Sequence, residues 1–439
     1  MSNNTDNLNR LQPNRRHFLK TSCLAAAVPT AISRVFAQPA LVHVAGTDKL
    51  SVGLVGCGGR GTGAAIDALR ADDNVQLTAM ADVFKDRLDS SLETLKQNAD
   101  IGSKIDVPQD RQFVGFDAYK QLIDSGIDVV LLATPPHFRP FHLRAAVDAG
   151  KHVFCEKPVA VDSPGVRSVL ETCKLAKEKS LSIVSGLCLR EHPGMREAID
   201  RIHNGAIGDV HTLYASDYRG SIWEKPREPD WTDMHYQMRN WYYYTWLSGD
   251  FNVEQHIHFL DICALIKGEN PTKAIGSGGR QVRTEAKYGN IFDHHSVTYD
   301  FADGTRLISN CRQQPGCVQE KCAEAQGSRG RAYLNEESKV MIYAESKWRY
   351  REKEGQRGIY QIEHDRLFSS IRNSRAENDG QYMSESTLLA IMGRMATYTG
   401  QVVTWEQATN SNEILAPKKY AWGDAPEVVI AVPGVTKIA

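Results

Sequence analysis

The sequence predicts an α/β chain in two parts: a parallel sheet covered by helices, followed by an α+β part whose sheet is largely antiparallel. Three observations carry this reading. Between residues 48 and 185 short apolar runs alternate with helical stretches, which is the pattern of βαβ units. From residue 186 onward strand-like segments dominate, and a hairpin turn signal, Asp303-Gly304, separates two of them. A glycine-rich loop, Gly56-Cys57-Gly58-Gly59-Arg60-Gly61, follows the first apolar run directly.

In order along the chain, Leu50–Val55 reads as the first strand and Ala64–Arg70, just past the glycine loop, as a helix. Val75–Ala81 is a second strand that ends at Asp82, and Asp86–Gln97 and Tyr119–Ser125 are helices. Asp128–Ala133 is an apolar strand, Pro140–Ala149 a helix closed by Gly150, and His152–Cys155 the next strand. In the second part, His211–Ser216, Lys273–Gly276, Ser296–Phe301, Thr305–Cys311, Ala332–Leu334 and Val340–Tyr343 read as strands. Leu388–Tyr398 reads as a late amphipathic helix, and no internal repeat is visible.

Gly56, Gly58 and Gly61 occupy G-x-G-x-x-G between a strand and a helix. In a dinucleotide-binding (Rossmann) unit the first glycine makes the tight turn. The second lets backbone approach the pyrophosphate, and the third lets helix pack on strand. The helix N-terminus adds free N–H donors and a positive dipole end, so Gly59 and Arg60 join the phosphate-facing loop. Asp82, at the end of the second strand, suits the adenosine ribose hydroxyls and favours NAD. Arg60, Lys85 and Arg87 lie near in sequence and keep NADP open.

The 439 residues are 41% hydrophobic with a formal net charge of −1. That is enough for two domains and gives no global attraction towards nucleic acid. The N-terminus carries Asn14-Arg15-Arg16-His17-Phe18-Leu19-Lys20, then the apolar run Leu24-Ala25-Ala26-Ala27-Val28, which is too short to span a bilayer. Small residues end at Ala37. Residues 1–37 therefore read as a twin-arginine signal peptide, residues 48–185 as the Rossmann domain, and 186–439 as an α+β substrate-binding and oligomerisation domain. The expected location is periplasmic, or otherwise outside the cytoplasm. Of nine cysteines, Cys23 falls in the signal segment. Cys311, Cys317 and Cys322 are spaced unlike metal ligands and read as buried thiols, and no metal is expected.

Further on come Leu132-Ala133-Thr134-Pro135, His142, and Ala149-Gly150-Lys151-His152-Val153-Phe154-Cys155-Glu156-Lys157-Pro158. These segments closely resemble the Gfo/Idh/MocA oxidoreductase family, and the resemblance extends from the glycine loop to the late helix. It implies that Thr134, Pro135, His142, Glu156, Lys157 and Pro158 border the cofactor. It also implies that Lys157 reaches the nicotinamide and the substrate hydroxyl, with Pro158 often preceded by a cis peptide bond. Relatives carry Asp-x-Gly-x-His-x-x-Asp where this chain has Glu254, His256, His258 and Asp261. Positions 254, 258 and 261 share one face of a helix, which makes His258 the general base and Glu254 its partner or a substrate ligand. Glutamate for aspartate and His256 for glycine are departures that bear on the pocket.

Trp241 and Tyr242, in the aromatic run Asn240–Trp246, read as a carbohydrate-facing surface, with Arg190, Arg239 and His256 as further substrate candidates. The leading expectation is an NAD(P)-dependent sugar or polyol oxidoreductase. Export argues for a tightly bound cofactor, since no pool of free NAD(P) awaits it outside. The alternative is a redox-neutral glycosidase that oxidises a sugar, eliminates the leaving group, adds water and returns the hydride, with Tyr242 or His256 as second base. A non-catalytic sugar-binding role is disfavoured by the presence of Lys157 and His258. The expected partners are a small carbohydrate and further copies of the chain, as homodimer or homotetramer, with no nucleic acid and no membrane span.

Overall fold

The computed structural model describes residues 48–336 and 339–438, so the twin-arginine segment and its processing site lie outside the described residues. Strands β1 (Leu50–Val55), β2 (Val75–Asp82), β3 (Gln112–Val114), β4 (Val129–Leu132), β5 (His152–Cys155) and β6 (Ile183–Ser185) form one sheet in the order β3-β2-β1-β4-β5-β6. Every pairing in it is parallel. Helices α1 (Gly59–Ala71), α2 (Lys85–Gln97), α3 (Ala118–Asp124), α4 (Arg139–Asp148) and α5 (Ser163–Glu178) lie between these strands in sequence. With both faces covered, the central strand β4, Val-Val-Leu-Leu, is apolar and buried throughout. The strand order reverses between β1 and β4, and such a switch point opens a ligand crevice at the strands' carboxyl ends.

The second sheet joins β7 (Val210–Arg219), β8 (Lys273–Gly279), β9 (His294–Asp300), β10 (Arg306–Gln313), β11 (Glu320–Gly327), β12 (Gly330–Asn335), β13 (Val340–Tyr343), β14 (Trp348–Arg349) and β15 (Val403–Thr404). Their order is β14-β13-β12-β11-β7-β10-β9-β8-β15, and all pairs are antiparallel except β7 with β10. Asp303-Gly304 turns the β9–β10 hairpin, closed by Phe301 N donating to Thr305 O at 2.9 Å. The remaining helices are α6 (Pro193–His203), α7 (Asp233–Arg239), α8 (Thr245–Ser248), α9 (Phe251–Glu254), α10 (Ile257–Lys267), α11 (Ile359–Arg372), α12 (Gly380–Thr399) and α13 (Trp405–Asn410).

Three features differ from the sequence reading. The helical cover of the first sheet is not supplied by residues 48–185 alone. α11 returns to it from far along the chain and buries Leu367, Phe368 and Ile371 with Leu50, Val52 and Phe154. Arg372 then clamps Asp72 at 2.7 and 2.9 Å. Secondly, α12 is buried on nearly every side rather than amphipathic, because it runs between α5 and strands β8 and β9. Its hydroxyls tolerate this by bonding back to their own helix: Thr387 to Met383 O at 2.7 Å and Thr399 to Met395 O at 2.7 Å. Thirdly, Cys317, in the turn after β10, is exposed, whereas Cys311 and Cys322 are buried thiols as expected. Among the described residues no helix is long and apolar enough to cross a membrane.

Candidate active site

β1 runs into Gly56, whose φ is +98°. A Cβ there would lie 2.7 Å from the Ala133 carbonyl carbon, and one on Gly61 would lie 1.8 Å from the Gly56 carbonyl oxygen. Only glycine lets the loop turn and α1 begin this close to β1. Gly58 stands at the N-cap of α1 without a side-chain bond to its N–H groups, which leaves those donors open towards an anion. The loop borders a cleft of about 1020 Å³. This is at the top of the roughly 300–1,000 Å³ range of small-molecule sites. Gly56, Gly58, Gly59, Arg60 and Gly61 line it, and so do Asp82, Thr134, Pro135 and His142. The donor-rich loop, the acid at the end of β2 and the size of the cleft fit a dinucleotide.

Asp82 does two jobs. It lines the cleft, and its carboxylate accepts Cys57 N at 2.6 Å and Phe84 N at 2.8 Å, which ties the glycine loop to the end of β2. Burial raises its pKa above the usual range. His142 is buried, with Nδ1 3.4 Å from the Thr134 hydroxyl, and burial pushes its pKa down to about 3, so the ring is neutral. Arg60 has its charge committed. It pairs with Glu156 through Nε, with Glu363 at 2.8 Å and with Asp67 at 3.7 Å, and lies 4.5 Å from the Tyr360 ring centroid. Glu156 is thus a buried partner of the glycine-loop arginine and does not line the cleft. Burial opposes its charge, but Arg60, Lys157 and Arg139 hold its pKa below the usual range. Burial, and then the charge of Glu156, drive the Glu363 carboxyl well up.

Lys157 follows β5, and its bond to Pro158 is cis. Its Nζ donates to the Glu254 main-chain oxygen at 2.8 Å and to Glu254 Oε1 at 3.2 Å. The expected single helix through 254, 258 and 261 is broken. α9 ends at Glu254 and α10 starts at Ile257, because His256 N reaches back to Phe251 O at 3.0 Å in a widened turn. The break leaves the Glu254 carbonyl available to Lys157. His258 sits in the first turn of α10, and its Nδ1 makes no hydrogen bond among the described residues. Burial first, then the charges of Lys157, Arg219 and Arg60, drive its pKa well below the ordinary histidine value, so its ring is neutral at pH 7.

The substrate candidates separate. Trp241 lines the cleft. The Tyr242 hydroxyl is buried and accepts from Gln313 Nε2 at 2.7 Å, and burial together with Glu254 pushes its pKa well up. His256 is fully buried, 2.8 Å from the Ser309 hydroxyl on β10, and burial pushes its pKa down to about 3. It packs in the interior between α9 and the second sheet and does not line the cleft. Arg190 also turns away from the cleft. It clamps Asp261, which is bonded to Ser386 as well, and lies 3.9 Å from the Tyr382 ring centroid. Arg239 lines the cleft, but at the Asp82 end, paired with Asp86 at 2.7 and 2.8 Å.

Residues 50–186 match the Gfo/Idh/MocA oxidoreductase family, NAD-binding Rossmann fold. The match takes in strands β1 to β6 of the parallel sheet. The chain is 25% identical over 287 residues to myo-inositol 2-dehydrogenase of Thermotoga maritima, covering 65% of this chain and 75% of that one. It is 26% identical over 200 residues to 2,7-anhydro-N-acetylneuraminate hydratase of Escherichia coli, covering 45% and 49%. The chain thus spans about half the length of the hydratase. Among solved structures it shares its fold with aldose-aldose oxidoreductase from Caulobacter crescentus (TM-score 0.64, 18% identity, 81% of this chain and 99% of that one).

Several residues of the candidate site escaped the sequence reading. Phe84 and Phe116 line the cleft just past the ends of β2 and β3, where open α/β sheets bind ligands; position after a strand was the available signal. Arg219, at the end of β7, contributes to the field at His258 and pairs with buried Asp217. Arg139 is buried in the field of Glu156 and Glu254, with Nε and Nη1 unbonded among the described residues. Neither arginine stands in a motif, so only the folded chain brings them to the site.

Proposed function

We propose that the protein is an NAD-dependent oxidoreductase that takes hydride from a secondary alcohol carbon of a sugar or polyol. The observation that carries this is the neutral His258 in the field of a Lys157 fixed by two oxygens of Glu254. Bound NAD would supply the hydride acceptor. His258 takes the proton of the substrate hydroxyl. An ammonium has three donors, and Glu254 takes two, so one N–H of Lys157 remains to stabilise the developing alkoxide. Glu254 holds that ammonium in place. Asp82, lining the cleft at the end of β2, supports NAD, and Arg60, already shared among three acidic side chains, is a poor partner for a 2′-phosphate.

The name of the hydratase relative favours a second reading, in which oxidation is transient and the net reaction is redox-neutral. Tyr242 and His256 do not support it as second bases, since both are buried and already bonded, to Gln313 and Ser309. The twin-arginine motif supports export with the cofactor already in place, and hence a cofactor retained between turnovers. The test is a panel of sugars and polyols given to the purified protein, with nucleotide reduction and ketone both followed. Ketone in step with NADH supports the oxidoreductase, and His258→Ala should lose both. Free sugar without net NADH assigns the redox-neutral cycle. Wild-type turnover in His258→Ala would sink both readings.

A further inference from the structure

We infer that residues 223–241 and the C-terminal segment 415–426 form a latched cover over the Asp82 end of the dinucleotide cleft, which slows release of the bound nucleotide. The inference rests on the NAD-binding reading above and adds a device for retention.

The cleft has two walls from different parts of the chain. Phe84, Asp86 and Phe116 stand on the Rossmann side, and Trp223, Met238 and Arg239 stand opposite, on the segment that follows β7. Arg239 bridges them. Its guanidinium makes a bidentate pair with Asp86, at 2.7 and 2.8 Å, and lies 3.7 Å from the Phe84 ring centroid. Arg239 is 16% exposed and Asp86 64% exposed, so the pair is held on one side and open to solvent on the other. Such a pair is weak enough to open and strong enough to bias closure.

The chain's last segment ties the same two walls from outside. After α13 it has neither helix nor strand, yet it is anchored repeatedly. The Trp422 ring lies 4.9 Å from Phe116 and 5.5 Å from Phe84 on the Rossmann wall, and 5.2 Å from His235 on α7. The Gly423 carbonyl accepts Met234 N at 3.0 Å, and the Pro426 carbonyl accepts Gln237 Nε2 at 3.0 Å. Tyr420 reaches His137 at 2.7 Å. Separating the walls to free a nucleotide therefore breaks the Arg239–Asp86 pair, the guanidinium–ring contact and the Trp422 contacts together.

The experiment loads the full chain with NADH, removes free nucleotide, and follows release by fluorescence and by the nucleotide recovered after gel filtration. Arg239→Gln and Trp422→Ala are each expected to release NADH at least about 10-fold faster than wild type, a barrier change of about 1.4 kcal/mol. Raising salt should speed release from wild type and leave Arg239→Gln unchanged, because only the former has an exposed ion pair to screen. Release from both variants at the wild-type rate, with unchanged melting of the nucleotide-free protein, overturns the cover and leaves the NAD reading standing. Failure of wild type to bind NADH at all overturns that reading and the cover with it.

Discussion

Replacing Lys157 by Met keeps the length of the side chain and removes its charge, which separates what Lys157 does for the fold from what it does for chemistry. Lys157 and Glu254 form a largely buried pair, with side chains only 12% and 11% exposed, and the ammonium also bonds the Glu254 carbonyl. Removing one partner of a buried pair costs roughly 3–5 kcal/mol, because the other charge stays buried alone. Arg219 also lies in the field of Glu254 and offsets part of that cost, so the lower end, about 3 kcal/mol, is expected. Lys157→Met/Glu254→Leu removes both charges and should recover most of the loss, since two apolar groups can replace a buried pair without penalty. Activity should behave otherwise. The double variant still lacks the donor to the alkoxide, so kcat/KM should stay down by about 10²–10⁴ in both variants. Urea unfolding of the four members of the cycle gives the coupling energy, and sugar oxidation gives the rates. Lys157→Met as stable as wild type would refute the buried-pair argument, and activity regained in the double variant would refute the role in chemistry.

Gly61→Ala places a Cβ 1.8 Å from backbone oxygen, which cannot give way, so α1 must move off β1. NAD affinity by calorimetry should fall more than about 10-fold with the fold retained by circular dichroism, and wild-type affinity would contradict the loop reading. The depressed pKa of His258 keeps it neutral as pH falls through the ordinary histidine range, so kcat/KM should stay level down past about 6.5 before its acid limb. A limb centred at or above that value would show another group to be the base. His256 is neutral in both folded and unfolded chains above about 6.5; below it the unfolded chain takes a proton while the folded ring, with a pKa of about 3, does not. It should therefore cost stability as pH falls, with a slope near 1.4 kcal/mol per unit, and His256→Gln should flatten the wild-type curve between about pH 6 and 4 by that amount. Parallel curves for the two proteins would show that the ring titrates normally.

Much of the first sheet was legible because its strands are continuous apolar runs between turn residues, and the glycine loop and Asp82 are fixed in position by backbone geometry that few residues satisfy. The second sheet was legible at its hairpin, where Asp303-Gly304 sets the turn. α11 was not: its apolar residues pack on a sheet some three hundred positions earlier in the chain, as the Arg372–Asp72 clamp shows, and no local pattern encodes that pairing. The spacing of 254, 258 and 261 suits a helix, yet the chain breaks there, since one widened turn alters the direction of every residue after it. Arg239 sits next to the aromatic run in sequence, and its side chain points to Asp86 on α2. Adjacency in sequence placed it near the site, and only packing decides which end of the cleft it serves.

The break between α9 and α10 also shows how the site depends on both sheets. Asp250, at φ +78°, begins α9, and its carboxylate is fully used: Phe292 N donates at 2.9 Å, the Tyr398 hydroxyl at 2.5 Å and His295 Nε2 at 3.2 Å. Burial opposes its charge, but His295 and these bonds hold its pKa below the usual range, so the anchor stays ionised. His295 belongs to β9 and Tyr398 to α12, so the position of Glu254 is set from the second sheet. Lys157 is set from the first, by β5 and the peptide to Pro158. Neither sheet carries both halves of the pair. The ammonium acquires its orientation only when the two are docked, and the same docking brings Trp223 and Trp241 over a cleft whose floor is the glycine loop. A substitution that loosens the Asp250 anchor should therefore weaken chemistry through Lys157 without touching the nucleotide loop, which is the pattern expected if the two sheets share one site.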